Sequence, residues 1–314
     1  MNSRSAPLIV VGVPVWRGAG FVSQTLTSIL AQQGVNLNVV ISVDGADEVS
    51  ASVCGQFTSD SRVSLLVQSS RLGWVQNSAV VLAAAVSRGA DYACIQPHDD
   101  LMEANYLSSL LAIAETSPQA ALVYSDIQAF GDYQFSIGQS SVTGSPVARL
   151  LALLIDHLDA VAFRGLTRVS ALRAVQPMSG NVFEDFAADT VWMTRLATVG
   201  DLLRVPYLLY RKRYHAENTH TKWSGWQPDR QVAAWTRHCL DMLAEALAVT
   251  KDPTARTMLA WAARVRLLQS AGAPMIFHQT IRSLSAHQQA SILSEFDAAA
   301  RKMLQTMSNS RPRL

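Results

Sequence analysis

Two adjacent carboxylates, Asp99 and Asp100, close the tetrad Pro97-His98-Asp99-Asp100 directly after a short apolar run, Tyr92-Ala93-Cys94-Ile95. That run reads as a buried strand. Carboxylates in tandem repel one another, and a hard divalent cation offsets the repulsion. The chemistry suggested is binding of Mg²⁺ or Mn²⁺, which in turn needs an anionic group to hold. A solvated turn is the plain alternative, so the surrounding elements must decide.

Those elements alternate. Leu8 to Val15, Val35 to Val43, Val63 to Gln68 and Tyr92 to Ile95 read as strands, separated by helical stretches at Phe21 to Gln32, Val75 to Ser87 and Ala104 to Glu115. Near-continuous apolar strands between helices imply an α/β fold with a mostly parallel sheet covered on both faces. Ligands of such sheets bind beyond the carboxyl ends of the strands. Asp44 and Asp47 follow the second strand, as Asp99 and Asp100 follow the fourth, so all four carboxylates are expected at one end of one sheet.

Further along, Ala121 to Ile127 reads as a strand, Pro146 to Ile155 as a helix, and Asp201 to Tyr210 as a strand. A helix over Asp189 to Val199 would present Trp192, Leu196 and Val199 on one face. From Gln227 onward the pattern is purely helical, with Trp235, Cys239, Leu243 and Leu247 in register, a cap at Asp252-Pro253 and a capping box at Ser285-x-x-Gln288. The chain is therefore divided into a first domain over 1–226 and a helical domain or arm over 227–314, with a frayed tail from Ser308 to Leu314.

Composition narrows the class. With 314 residues, 49% hydrophobic and 16% charged, the chain can bury a large core. Its longest apolar runs, Leu8 to Val15 and Leu150 to Ile155, are too short to cross a bilayer, so a cytoplasmic protein is expected, with peripheral membrane contact left open. Three separated cysteines, Cys54, Cys94 and Cys239, form no disulfide framework or zinc motif. A formal charge of +2 without a dense basic block offers no footprint for nucleic acid.

Neither a Rossmann fingerprint nor a Walker A loop follows the first strand. What is present resembles the family 2 glycosyltransferases, which have the GT-A nucleotide-diphospho-sugar transferase fold, and the resemblance runs through most of residues 7 to 223. Val13-Pro14-Val15-Trp16 is similar to the family's V-P-x-Y opening, and Ser42-Val43-Asp44-Gly45-Ala46-Asp47 to its V-D-D-G-S-x-D turn. Arg71-Leu72-Gly73-Trp74-Val75-Gln76-Asn77 is similar to the glycine-to-asparagine stretch, and Pro97-His98-Asp99-Asp100 falls at the D-x-D metal signature. Tyr210-Arg211-Lys212-Arg213-Tyr214-His215 is similar to the Y-R-x-H element.

The resemblance implies an inverting, metal-dependent transfer of a sugar, hexosyl or related, from a nucleoside diphosphate sugar to the hydroxyl of a carbohydrate or glycolipid acceptor, as in polysaccharide biosynthesis. It implies Mg²⁺ or Mn²⁺ held by Asp100 with Asp99, with His98 as a further candidate ligand. Asp44 would accept the imide N–H of a base, unless it caps a helix starting near Ala46. Trp16 would stack on that base, and Pro14, Asp47, Arg71, Gly73 and Asn77 would complete the nucleotide-sugar site with Asp99. Arg213 would hold the diphosphate, unless its segment is a solvated basic turn. The catalytic base is Asp189 by the family's spacing to Arg195 and Gly200, with Glu184-Asp185 as the competing pair. Trp223 and Trp226 would form a lid or sugar platform, or pack against the helical arm. Pro97, His98 and Ala188 depart from the family pattern, which keeps an idle nucleotide-sugar-binding module in play. A sugar-phosphate nucleotidyltransferase is the other rival, although Gly18-Ala19-Gly20 is a poor version of its loop.

Overall fold

Leu8-Ile-Val-Val-Gly-Val-Pro-Val15 has no polar side chain to present to water, and the chain buries it at the centre of a sheet. The computed structural model describes residues 6–156, 160–268 and 277–308; most of the tail expected to fray, 309–314, lies outside them. Strands β1 (Leu8–Val15), β2 (Asn36–Val43), β3 (Val63–Val67) and β4 (Tyr92–Ile95) are parallel neighbours. They are joined by helices α1 (Val22–Leu30), α2 (Glu48–Gly55) and α3 (Trp74–Ser87). The remaining strands are β5 (Leu101–Met102), β6 (Ala120–Gly131), β7 (Ser136–Ile137), β8 (Leu166–Arg168) and β9 (Asp201–Tyr214). The order is β3-β2-β1-β4-β8-β6-β9-β5, with β7 on β6, and β8 runs antiparallel to both β4 and β6.

Register places Val15 beside Val43 and Gly12 beside Ile95, so β1, β2 and β4 release their chains at the same end. Close packing explains Gly12: a Cβ there would stand 2.5 Å from Val81 on α3. Only glycine lets that helix lie so near the sheet.

Two strands run longer than their sequences suggest. β6 continues past Ile127 because it pairs there with β7, Ile127 opposite Ile137 and Gln128 opposite Ser136, and the Ala129 amide donates to Phe135 O at 2.8 Å. β9 continues past Tyr210 through the cationic stretch Arg211–Tyr214, where Arg211 pairs with Leu101. β5 and β8, of two and three residues, carry too short a pattern to be read from sequence.

The other helices are α4 (Tyr106–Thr116), α5 (Pro146–Asp156), α6 (Val169–Ala174), α7 (Ala188–Val199), α8 (Thr219–Ser224), α9 (Pro228–Leu247), α10 (Pro253–Leu268), α11 (His278–Ser283) and α12 (Ala286–Ser308). The chain divides into two compact units. One comprises 1–141, 161–180 and 202–215 and holds the sheet; the other comprises 142–160, 181–201 and 216–314. The second unit thus includes three stretches that precede residue 227 in sequence, 142–160, 181–201 and 216–226.

Within this helical unit Trp235, Cys239, Leu243 and Leu247 are buried along α9 as their spacing requires. Both expected caps are present: Asp252 Oδ1 accepts from the Ala255 amide at 2.7 Å, and Ser285 and Gln288 exchange hydrogen bonds at 2.9 and 3.2 Å. On α7, Trp192 and Leu196 are buried but Val199 is 43% exposed, since it ends the helix. Its last carbonyls, those of Ala197 and Thr198, accept from buried Arg149, which also pairs with Asp201 at 3.3 Å.

His238 on α9 is buried against Trp235 and Phe186, and burial, then the charge of Arg266, holds its imidazole well below the ordinary pKa. Such a group is neutral in the folded chain and takes up its proton only on unfolding, so stability falls as pH drops below the unfolded value of about 6.5. Urea unfolding followed between pH 7.5 and 5 is expected to show this loss, and a smaller acid loss in His238→Leu.

Candidate active site

Asp44 leaves β2 at 1% exposure, and its two oxygens accept from the amides of Leu72 at 2.6 Å and Gly73 at 2.9 Å. It does not cap a helix. That role belongs to Asp47, which accepts from Ser50 N at 3.1 Å at the head of α2 and from Arg17 N at 2.6 Å. Burial works to raise the Asp47 carboxyl, and the hydrogen bonds from Ser50 and Arg17 outweigh it. Gly73 takes φ +82, open to glycine without strain, which lets the chain turn over Asp44 and start α3 at Trp74. Asn77 is buried between Ser42 Oγ at 2.6 Å and Ser42 O at 2.9 Å, so it fastens α3 to β2.

The same loop presents Arg71. Its guanidinium lies 3.6 Å from the centroid of the Trp16 ring and 3.9 Å from Asp44 Oδ2. Trp16, Arg71 and Asp44 therefore form one aromatic, cationic and acidic group beyond β1 and β2. Pro14 contributes its carbonyl, 3.3 Å from His98 Nδ1, and the His98 ring covers Gly18.

Beyond β4 the two tandem carboxylates diverge. Asp100 is 1% exposed; its Oδ2 accepts from Arg164 Nε and Tyr210 OH, both at 3.0 Å, and its Oδ1 from Arg213 N at 2.8 Å. Burial, then the charge of Asp99, pushes its carboxyl up, against the pull of Arg164, Lys212 and the Arg213 amide. Asp100, expected to be the leading metal ligand, is thus committed to three donors inside the protein. Asp99 meets an imidazole instead: its Oδ2 lies 2.9 Å from His215 Nε2, with side-chain exposures of 13% and 17%. Burial works to raise the Asp99 carboxyl, and the His215 hydrogen bond with the charges of His98 and His215 outweighs it.

Arg213 is part of a strand, not of a solvated turn. Its Nε donates to Asp99 O at 2.9 Å and its Nη2 to Gln24 Oε1 at 2.7 Å, between the rings of Phe21 and Phe130. Arg164 and Tyr210 had no role in the sequence reading. Arg164 is 64 residues from Asp100, and no local pattern announces a pair at that distance.

In the helical unit Asp189 occupies the first turn of α7, where the helix N-terminus favours a negative charge. Its Oδ1 accepts from Thr190 N at 2.9 Å. Asp185 Oδ1 accepts from Asn181 N at 3.0 Å, and Glu184 bridges Lys222 and Arg230. Arg195, which set the spacing, pairs with Glu245 at 2.9 Å. Trp223 and Trp226 pack against Phe186, at 5.2 and 6.2 Å between ring centroids.

At the carboxyl ends of its parallel strands the sheet thus carries an aromatic, cationic and acidic group after β1 and β2 and a carboxylate and imidazole pair after β4. The chain belongs to glycosyl transferase family 2, whose model matches residues 10–174, and it is a glycosyltransferase of GT-A fold. Family membership sets aside the nucleotidyltransferase alternative.

Among solved structures it is similar to S. aureus TarS 1-349 in complex with UDP, with TM-score 0.64 and 12% identity over 96% of this chain and 90% of that one. The complex of the same protein with UDP-GlcNAc gives TM-score 0.60 at 11% identity over the same shares. The mannosyltransferase PcManGT from Pyrobaculum calidifontis, in complex with GDP-Man and Mn²⁺, gives 0.58 at 16% identity over 96% and 83%. No curated protein sequence matches. Among the described residues, no helix is long and apolar enough to cross a membrane, and no group of three or more His, Cys, Asp or Glu side chains could hold a metal.

The burial of Asp100 makes a direct prediction. Asp100→Ala removes the carboxylate facing Arg164 and is expected to destabilise the fold by about 3–5 kcal/mol, the usual effect of breaking a buried pair. Asp99→Ala is expected to lose well under half of that. Equilibrium unfolding in urea of the two variants measures the difference.

Proposed function

We propose that the protein transfers a sugar from a UDP- or GDP-linked donor to an acceptor hydroxyl with inversion, using Mg²⁺ or Mn²⁺. The observation that carries this reading is the Asp99–His215 pair, 2.9 Å apart at the end of β4. A carboxylate oxygen and an imidazole nitrogen are both ligands for Mn²⁺, and Mg²⁺ sites commonly use one or two carboxylates completed by substrate phosphates and water. Two protein ligands therefore fit a site that the donor's diphosphate completes. The ion would supply charge neutralisation of the departing diphosphate.

The remaining roles belong to side chains. Asp44, with Trp16 and Arg71, is proposed to receive the base: the carboxylate accepts an imide N–H while the ring and guanidinium offer stacking faces. Support comes from their grouping and from the UDP and GDP-Man bound by the similar structures. Pro14 and Gly73 shape this site through the backbone, Asn77 through the side-chain amide that fastens α3 to β2, and Asp47 fixes the α2 end. Arg213 braces Asp99 through its carbonyl, and His98 lies close enough to Asp99 to lower its pKa.

Asp189 is proposed as the base that takes the acceptor proton, supported by its register with Arg195 and Gly200 and by the turn role of Asp185. The acceptor is proposed to be a carbohydrate or glycolipid in cytoplasmic polysaccharide assembly, and the helices after 227 an arm for assembly rather than donor recognition. Active turnover would exclude the idle-module alternative.

Two measurements test the reading. With Mn²⁺ present, Asp99→Asn and His215→Asn are each expected to weaken nucleoside diphosphate binding roughly 10–100-fold in calorimetry, the usual effect of removing support from a metal; unchanged affinity would sink the metal assignment. Asp189→Asn is expected to lower kcat by about 10²–10⁴ with donor affinity preserved within about twofold.

A further inference from the structure

The turn leading into α7 is the most unusual backbone in the protein. Four non-glycine residues among those described have positive φ, and three of them fall here: Glu184 at 50°, Asp185 at 61° and Ala187 at 51°. A left-handed backbone is unfavourable for residues with a Cβ, and glycine would relieve it, yet residues 181–187 contain no glycine.

Something must hold so strained a segment, and its hydrogen bonds do. Asn181 is at the centre: its amide N donates to Asp185 Oδ1 at 3.0 Å, its Nδ2 to Phe186 O at 2.8 Å, and its Oδ1 accepts from Phe183 N at 2.9 Å. Thr190 Oγ1 donates back to Ala187 O at 2.7 Å and lies 3.5 Å from the buried His238 Nε2. Outside the turn, Glu184 is gripped by Lys222 and Arg230, and Phe186 stacks on Phe277 at 4.9 Å.

The strain has one evident consequence. Ala187 is the N-cap of α7 and has no side chain able to cap it. A Ser or Asp there would take an amide of the first turn. Instead the Thr190 amide is met by Asp189 Oδ1 at 2.9 Å. The left-handed residues bring the chain into the helix so that the carboxylate of Asp189 settles on the helix end.

We infer that Asn181 and Asp185 are positioning residues that hold the Asp189 carboxylate in working orientation through the strained 184–187 turn. This rests on the proposed base role of Asp189. Asp185 acts as a hydrogen-bond acceptor and not as an acid or base, so its shape matters and its charge does not. Asparagine, which tolerates a left-handed backbone, can replace it.

The test uses the full chain with Mn²⁺, following release of UDP from UDP-N-acetylglucosamine and of GDP from GDP-mannose, with water as acceptor. Asn181→Ala and Asp185→Ala are expected to lower kcat about 10–100-fold, the scale of a misplaced reacting group, with donor KM within about twofold. The acid limb of their pH–rate profiles should move to higher pH, because Asp189 loses its seat on the helix end. Asp185→Asn should recover kcat to within about threefold of the unaltered protein. A role confined to folding would move neither the pH limb nor the kcat-to-KM split.

Ala187→Gly gives a second measurement that does not depend on the alanine variants folding. Relief of strain should raise its melting temperature by roughly 1–4 °C, while looser seating lowers kcat at least about threefold. Either a fall in melting temperature or an unchanged kcat overturns the inference. So does an Asp185→Asn variant as slow as Asp185→Ala, which would make Asp185 itself the base. Collapse of Asp189→Asn beside unaffected Asn181→Ala and Asp185→Ala overturns this inference alone, whereas normal turnover in Asp189→Asn overturns the base assignment beneath it.

Discussion

The buried carboxylate of Asp100 is the interaction on which the sheet unit's ligand-binding end depends. It gathers the Arg164 guanidinium, the Tyr210 hydroxyl and the Arg213 amide, three groups far apart in sequence, at the carboxyl end of β4. A buried negative group costs several kcal/mol unless it is met by donors, so these contacts must form together or not at all. By holding Arg213 N, Asp100 sets the register in which β9 passes the strand end. Two residues later that register delivers His215 to Asp99.

A division of labour among like residues follows from burial. Four aspartates leave the same end of the sheet, and each has a different environment. Asp47 is spent on a helix end and Asp100 on internal donors. Asp44 ties down the loop that carries Arg71 through the amides of Leu72 and Gly73. Asp99 is the member opposed by an imidazole rather than by a guanidinium. Asp100 meets a guanidinium Nε at 3.0 Å, a group that cannot ligate a cation, whereas Asp99 meets an imidazole nitrogen, which can.

Much of this was legible from sequence. Near-continuous apolar strands between helices specify the parallel sheet, and the resemblance motifs located every loop at its carboxyl end. The caps at Asp252 and Ser285 were readable because capping chemistry is local. What escaped was non-local. The extensions of β6 and β9 depend on Gln128 meeting Ser136 and Arg211 meeting Leu101, so polar and charged residues that look solvated belong to strands. The different environments of Asp99 and Asp100 were hidden for the same reason: adjacent aspartates are identical in pattern, and the distant Arg164 and Tyr210 tell them apart. The turn at 181–187 gave little signal, since none of its left-handed residues is glycine and, of the three, Asp185 alone is of a type that adopts this backbone readily.

A site with two protein ligands has consequences for the order of events under the proposed reading. Asp99 and His215 already meet at 2.9 Å, so an incoming cation would have to displace a formed hydrogen bond rather than fill a waiting cage. Two ligands alone compensate that loss poorly, whereas a cation arriving with a diphosphate brings oxygen ligands of its own and neutralises added negative charge. Affinity for the cation is thereby linked to the donor, and by reciprocity the donor's affinity is linked to the cation. The same linkage would favour release, since His215 could re-form its hydrogen bond to Asp99 once the diphosphate had left. The contacts of Asp100 to Arg164, Tyr210 and the Arg213 amide would hold the backbone of the tetrad and of β9 through such an exchange.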